Sequence, residues 1–251
     1  VEFLFRAPAL PEPRQVKEPV DHADDALAVV DGLLDALGAS GADLLDVVGA
    51  TGDLADPEIP RRARFCVCFP SPNQGVWTDR VVNEEDPRWI LGTPPRNKAN
   101  YAWVQQTLAY MEDEGAAVLL VTNAVLHADI GREEALRRAL ARSGLVSAVI
   151  SLPGGLFADG RPSSSLVVLD KSGKTHGILF VGALELGVFE GVAPSGVTYR
   201  SLPSAAVARI VGAFAAWRTE GECGLPRFCR VVSEAELDER DCVLTPWTYV
   251  R

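Results

Sequence analysis

Apolar residues recur at helical spacing in four parts of the chain and form strand-length runs in five others. Residues three and four positions apart share one helix face, so the first pattern predicts amphipathic helices. These cover Asp21–Leu37, a segment that starts at Asn100, Arg132–Arg142 and Ser204–Arg218. The continuous apolar runs are typical of strands buried on both faces, and they cover Ala63–Cys68, Ala116–Thr122, Leu145–Leu152, Ser165–Asp170 and Ile178–Ala183.

The helix that starts at Asn100 has the clearest limits. Asn100 is a good capping residue, and Tyr101, Val104, Leu108 and Met111 follow it at helical spacing. We therefore expect Asn100 to cap the helix and Met111 to lie on its apolar face, with the helix closed near residue 115.

Alternation of helices with buried strands predicts an α/β fold. The sheet should be mostly parallel, with helices on both faces and an antiparallel edge. Residues 1–20 are rich in proline and charge and are interpreted as an extended arm. Residues 21–218 then form the α/β domain, and residues 219–251 form a C-terminal extension packed on that domain.

Net charge argues against a protein that holds DNA alone. The chain has 251 residues and a formal charge of −10, whereas non-specific DNA affinity comes from Lys and Arg neutralising phosphates. DNA binding is therefore expected within a complex that contains a protein partner. The apolar runs are too short to span a membrane, and no basic, apolar leader precedes them, so we expect a cytoplasmic protein.

Several segments resemble one enzyme family in order and spacing. The segment that begins at Asp86, DPRWILGTPPRNKANYAWVQ, is followed by Val149–Phe157 (VISLPGGLF), Pro162–Lys171 and Phe228–Val250 (FCRVVSEAELDERDCVLTPWTYV). Together they resemble M subunits of type I restriction–modification systems, which are adenine-N6 DNA methyltransferases. The resemblance covers about Gly52–Arg251. It implies a Rossmann-like class I methyltransferase fold, S-adenosylmethionine as cofactor and a specificity subunit as partner.

This family uses an Asn-Pro-Pro-Phe/Tyr tetrapeptide to hold the flipped adenine. At that place the chain has Phe69-Pro70-Ser71-Pro72. Phe69 replaces the Asn whose carbonyl orients the adenine amine, and Pro72 replaces the stacking aromatic. Asn73 is an alternative source of the amide, although the backbone there would have to follow a different path.

The cofactor-binding half resembles the family less closely. Ser40 and Gly41 are the candidates for its glycine-rich turn, and Asp53 is the candidate for contact with the cofactor adenine, with a plain turn as the alternative for Asp53. The ten residues between Gly41 and Gly52 leave no room for a βαβ unit. We therefore expect a sheet with fewer than the seven strands usual in this class.

Two functions follow from these observations. The first is a non-catalytic, methyltransferase-like module that serves as a scaffold, a DNA-associated regulator or a ligand-binding domain, with a specificity-type subunit or a second copy as partner. The alternative is an active S-adenosylmethionine-dependent adenine-N6 DNA methyltransferase that works with a specificity subunit. The altered tetrapeptide favours the first.

Three further groups of residues leave alternatives open. Cys66, Cys68, Cys223 and Cys229 could form a zinc site, but their spacing is unusual, so we expect no metal, and the odd cysteine count argues against disulfides. Trp77, Trp89 and Trp103 are interpreted as core, with base stacking as the alternative. Arg88, Arg96 and Lys98 are interpreted as solvated loop charges, with a DNA or partner contact as the alternative.

Overall fold

The computed structural model describes residues 23–39, 43–51, 53–59, 61–72, 74–157, 163–173, 177–192 and 196–250. The helices are α1 (Ala23–Leu37), α2 (Val47–Ala50), α3 (Asn100–Tyr110), α4 (Asn123–Leu126), α5 (Gly131–Arg142), α6 (Ser204–Glu220) and α7 (Glu234–Glu239). The strands are β1 (Leu44–Asp46), β2 (Ala63–Cys68), β3 (Met111–Thr122), β4 (Val146–Ser151), β5 (Ser164–Asp170), β6 (Ile178–Gly182), β7 (Val188–Val192), β8 (Thr198–Ser201) and β9 (Cys229–Val232). The proposed arm, residues 1–20, lies outside the described residues.

A mixed seven-stranded sheet with the order β1-β2-β3-β5-β4-β6-β9 organises the described chain. The strands β1, β2, β3, β4 and β6 run in one direction, and β5 and β9 run in the other. The α/β class, the mostly parallel sheet and the antiparallel edge are therefore confirmed. The strands β7 and β8 form a separate antiparallel hairpin.

The expectation of fewer than seven strands is wrong. Ahead of β2, the described chain contributes a single strand of three residues, β1. The sheet reaches seven because β6 and β9 extend it at the opposite edge. Strand count alone therefore does not measure how much of the cofactor-binding half is present.

Two apolar layers cover the sheet. On one face, α3, α5 and the C-terminal segment pack through residues such as Tyr101, Leu136 and Tyr249. On the other face, α1 and α6 pack through residues such as Leu33, Phe214 and Trp217. Each predicted strand is covered on both sides, which explains its continuous apolar sequence. No helix among the described residues is long and apolar enough to cross a bilayer.

The start and end of α3 differ from the prediction. Asn100 is the first helical residue rather than the cap, and the capping residue Ala99 makes no side-chain hydrogen bond. The helix ends at Tyr110, and Met111 begins β3. The Lys171 ammonium group donates to the carbonyls of Leu108 and Met111 at 2.8 and 3.0 Å. This contact satisfies the carbonyl groups at the helix end, which the local pattern of apolar residues does not reveal.

A buried ion pair joins the sheet to α6. Asp170, at the end of β5, is 2% exposed and forms an ion pair with Arg218. Burial alone would raise the pKa of Asp170, but hydrogen bonds from Ser172 and Arg218 outweigh burial and lower the pKa. The Asp170 carboxylate therefore stabilises the folded state in its charged form.

Acid should weaken the fold partly through this carboxylate. The pKa of Asp170 lies below its unfolded value of about 3.9, so its contribution is present above that pH and is lost as the pH falls through the folded pKa. We expect the free energy of unfolding, measured from pH 7 to pH 3 with urea, to fall less steeply in Asp170→Asn than in the wild type. The exposed Asp79→Asn variant is the control and should keep the wild-type slope. Equal slopes in all three proteins would contradict the prediction.

Candidate functional site

The segment Phe69-Pro70-Ser71-Pro72 leaves the carboxyl end of β2. Cys68 is the last strand residue, and the two prolines that follow cannot donate to a ladder. Phe69 is partly buried, and its side chain packs against the core layer that contains α1 and α6. At this point the chain therefore presents an apolar ring that serves packing and has no hydrogen-bond acceptor.

A small cavity lies beside this segment. Pro70, Ser71 and Pro72 line it from one side, and Asn100 and Trp103 of α3 line it from another. Its volume of about 20 Å³ is enough for one water molecule. A purine ring does not fit into the cavity at this size.

The loop between β2 and α3 is held by Arg88. Its guanidinium donates to both carboxylate oxygens of Asp86, to the carbonyls of Leu54 and Asp56 and to Gln106 Oε1 at 2.6 Å. Arg88 is 4% exposed, so neither the solvated-charge interpretation nor the DNA-contact alternative is correct for this residue. It fastens the loop to α3 and to the turn before β2.

The three tryptophans of this region lie in the core, as predicted, with exposures of 7–9%. Trp77 and Trp89 are in edge-to-face contact at 5.9 Å between ring centres. The indole nitrogens of Trp77 and Trp103 donate to the Pro95 carbonyl and to Gln74 Oε1, both at 2.9 Å. The indoles are therefore used in packing and do not form an open stacking surface.

A second cluster of polar side chains, Lys98, Asn100 and Glu133, lies at the start of α3. Lys98 Nζ and Asn100 Nδ2 donate to the two carboxylate oxygens of Glu133, at 2.5 and 3.0 Å. The side chain of Lys98 is 56% exposed whereas that of Glu133 is 8% exposed. Arg96 is exposed, which agrees with its interpretation as a solvated loop charge. Lys98 is exposed as well, but it also forms an ion pair with Glu133.

The predicted cofactor residues give a mixed result. Ser40 and Gly41 lie outside the described residues. Asp53 forms a plain turn, because its carboxylate accepts from the Ala55 amide at 2.8 Å. It lines a cavity of about 220 Å³ together with Asp56 and Glu58, which is below the roughly 300–1,000 Å³ of small-molecule sites. The described residues around Asp53 therefore do not by themselves enclose a whole S-adenosylmethionine molecule.

The cysteines are not brought together as a metal site. Cys66 and Cys68 lie in the core layer with α3, and burial raises the pKa of each thiol to about 12. Cys223 and Cys229 form a disulfide on the other side of the sheet. The prediction of no disulfide is wrong, since the turn between α6 and β9 places these two residues side by side. Among the described residues, no group of three His, Cys, Asp or Glu side chains could hold a metal.

Comparison with known proteins gives the family. The sequence profile of the N-6 DNA methylase family matches residues 47–251. The chain belongs to the N-6 DNA methylase family. The match includes β2, the Phe69–Pro72 segment, α3 and every later element of the fold.

Individual members of the family support the resemblance to type I systems. The HindI methylase subunit of a type I restriction enzyme from Haemophilus influenzae is 29% identical over 194 residues, which cover 76% of this chain and 42% of that protein. The MjaVIII methylase subunit from Methanocaldococcus jannaschii is 25% identical over 195 residues, 75% of this chain and 32% of that protein. This chain therefore spans less than half the length of these relatives.

A solved structure supports the N-6 DNA methylase fold. The type I restriction–modification methyltransferase subunit from Streptococcus thermophilus superimposes with a TM-score of 0.65 at 21% identity, covering 77% of this chain and 39% of that one. At this identity the likeness concerns the fold alone.

Two contacts of this region have no signal in the sequence of this family member. Asn100 is predicted to cap the helix, whereas its side chain donates to Glu133, which is 33 residues away in sequence. Arg88 was assigned to the surface, and its burial depends on carbonyl groups from residues 54 and 56. No local signal distinguishes these residues from ordinary loop residues.

Proposed function

We propose that this chain is a non-catalytic, methyltransferase-like module that acts within a larger type I restriction–modification assembly. The observation that carries the proposal is Phe69. It stands at the place of the family's amine-orienting Asn, and its ring packs into the core layer with α1 and α6. A ring without polar atoms cannot accept the hydrogen bond that orients an adenine amine, and loss of such orientation reduces rates by orders of magnitude.

The space beside Phe69 supports the same proposal. The neighbouring cavity holds about one water molecule, so a flipped base has no room there. The cavity at Asp53, about 220 Å³, is smaller than typical small-molecule sites. These two small cavities support the proposal that the chain does not hold a flipped base together with a cofactor.

Charge makes the role dependent on a partner. With a net charge of −10, the chain does not supply the positive surface that holds DNA phosphates. We propose that a specificity-type subunit or a second copy is its protein partner, and that contact with DNA occurs within that complex.

The test is transfer of tritiated methyl groups from S-adenosylmethionine to adenine in DNA, with and without a specificity subunit. We expect no transfer above background in either case, because the amine-orienting acceptor is absent. The double variant Phe69→Asn, Pro72→Phe restores the amide and the aromatic of the tetrapeptide, leaves Ser71 at its third position and does not rebuild the cofactor pocket, so it should also be inactive.

Either positive result would favour the alternative, an active adenine-N6 methyltransferase. Activity of the wild type would overturn the proposal outright. Activity of the double variant alone would show that a cofactor pocket exists and that Phe69 and Pro72 suffice to silence it. Titration calorimetry with S-adenosylhomocysteine tests the cofactor pocket independently of activity, because micromolar binding requires an intact pocket even in a chain that transfers no methyl group.

A further inference from the structure

The Cys223–Cys229 disulfide closes a short, exposed loop. The two residues are six positions apart, and their Cα atoms lie 6.2 Å from each other, within the range that a disulfide spans without backbone movement. The loop joins the end of α6 to the start of β9, and residues 224–227 are exposed. A crosslink over so few residues removes less chain entropy than one that joins distant segments. It therefore restrains this loop more than it stabilises the fold as a whole.

The two sulfur atoms of the disulfide differ in their access to solvent. Cys223 is half-buried, whereas Cys229 is 5% exposed and belongs to the core layer with α1 and α6. A thiolate attacks one sulfur of a disulfide and releases the other, so a thiolate from solution reaches Cys223 rather than Cys229. The Cys229 sulfur lies 3.7 Å from the carbonyl oxygens of Cys223 and Leu225. The released Cys229 thiol therefore has acceptors beside its former partner, where the bond can form again.

The other three cysteines do not compete for this chemistry. Cys66, Cys68 and Cys242 are buried free thiols. Burial raises the pKa of Cys66 and Cys68 to about 12 and also raises the pKa of Cys242. The thiolate is the reactive form of cysteine, so these side chains neither exchange with a small thiol nor capture Cys223. Thiol chemistry is therefore confined to one pair.

The disulfide is attached to an edge of the seven-stranded sheet. Cys229 is the first residue of β9, the outermost strand beside β6. The preceding residue, Phe228, is buried, and its carbonyl accepts from the amide of Gly182, at the end of β6, at 2.8 Å. Strand β6 runs in the same direction as β2, so its carboxyl end lies on the same side of the sheet as the Phe69–Pro72 segment. The disulfide therefore fastens the sheet edge on the side of the candidate site.

The backbone of the loop depends on this restraint. Arg227 has a φ of +66°, in the left-handed region that costs free energy for a residue with a side chain. Gly221 and Gly224 also have positive φ, which glycine tolerates. Opening the disulfide frees Arg227 to leave this conformation, and Phe228 and β9 follow it directly along the chain. A change in the loop is therefore passed to the sheet edge.

We propose that Cys223 and Cys229 form a reversible thiol–disulfide site, which a low-molecular-weight thiol opens through Cys223 and which controls the order of β9. The small thiolate attacks the Cys223 sulfur, the S–S bond breaks, and Cys229 leaves as a thiolate that takes a proton from water. A second small thiolate attacks the mixed disulfide and releases Cys223, which is protonated in turn. Two small thiols are thus oxidised to one small disulfide, and the protein gains two electrons and two protons. The site goes beyond the proposed function, because it does not depend on methyl transfer.

The first test equilibrates the full chain at pH 7 with reduced glutathione at millimolar concentration and labels free thiols with N-ethylmaleimide for mass spectrometry. We expect the pair to open and only Cys223 and Cys229 to gain label. In Cys229→Ser, oxidised glutathione should form a mixed disulfide on Cys223. A structural disulfide resists reduction by glutathione, so a pair that stays oxidised at equilibrium would overturn the proposal. Equal labelling of Cys66 or Cys68 in the folded chain would overturn it as well.

Hydrogen exchange measures the effect of reduction on the sheet edge. Exchange of the Gly182 amide and of the β9 amides should become about tenfold faster, because closure of a short loop is a modest restraint, and exchange in β3 should not change. Cys223→Ser should exchange at the faster rate with or without reductant, since its loop cannot close. Cys242→Ser is the matched control and should respond to reduction as the wild type does. Unchanged exchange at β9 after reduction, or equal acceleration at β3 and β9, would contradict control of the edge by the disulfide.

Discussion

Replacing Arg88 with Met is expected to lower the free energy of unfolding by about 3–5 kcal/mol, the usual cost of breaking a buried ion pair. The substitution removes the guanidinium but leaves Asp86, which is 7% exposed, without its cation. Burial alone would raise the pKa of Asp86, and the hydrogen bonds from Arg88 outweigh that effect and lower it. The carbonyls of Leu54 and Asp56 would lose their donor as well.

Urea denaturation followed by circular dichroism measures this loss. The matched control is Arg96→Met in the same loop, because the Arg96 side chain is exposed. We expect the control to change stability by less than about 0.5 kcal/mol. A loss of less than about 1 kcal/mol in the free energy of unfolding of Arg88→Met would be close to that of a surface substitution. That result would contradict the role of the guanidinium in holding the loop.

Replacing Gly155 with Ala should have the second largest effect, about 2–5 kcal/mol, as the sum of a left-handed backbone penalty and a steric clash. Gly155 has a φ of +86°, and an added Cβ would lie 2.2 Å from the Thr198 carbonyl oxygen. Its own carbonyl accepts from the Arg200 amide at 2.8 Å. The residue therefore lets the β7–β8 hairpin pack against the segment that follows β4.

Gly144→Ala is the control for the backbone penalty alone. Gly144 has a φ of +70° and no atom within 4 Å of an added Cβ. We expect it to cost about 1–2 kcal/mol, so the difference between the two variants reports the contact with the hairpin. Thermal denaturation measures both losses, and hydrogen exchange at β7 and β8 should rise in Gly155→Ala. Equal losses in the two variants would show that the close approach to Thr198 has little energetic weight.

Where apolar periodicity is strong, the predicted elements agree with the structure. Strand β5 differs from its prediction by one residue at its start, and α5 also starts one residue earlier than predicted. These elements bury most of their apolar residues against the sheet or its layers, so packing follows the sequence pattern directly. The sequence pattern does not predict β1 or the β7–β8 hairpin, because β1 has only three residues and most residues of the hairpin strands are exposed or half-buried.

The residues of the candidate site were only partly predictable from the sequence. Phe69, Pro70, Ser71 and Pro72 could be located from the sequence because they directly follow a buried strand and precede a recognisable segment. Their role in this chain stays a proposal. The clamp by Arg88 and the orientation of Asn100 by Glu133 could not be predicted, because each depends on partners distant along the chain.

By itself the sequence determined the α/β class, the central strands, the resemblance to the family and the presence of a phenylalanine at position 69. These follow from residue type and local periodicity. The tertiary structure decided the seven-strand count, the Cys223–Cys229 disulfide, the burial of Arg88 and the hydrogen bond between Asn100 and Glu133. Each of these depends on how separate segments meet, and hydrogen bonds or crosslinks between such segments leave no periodic trace in the chain.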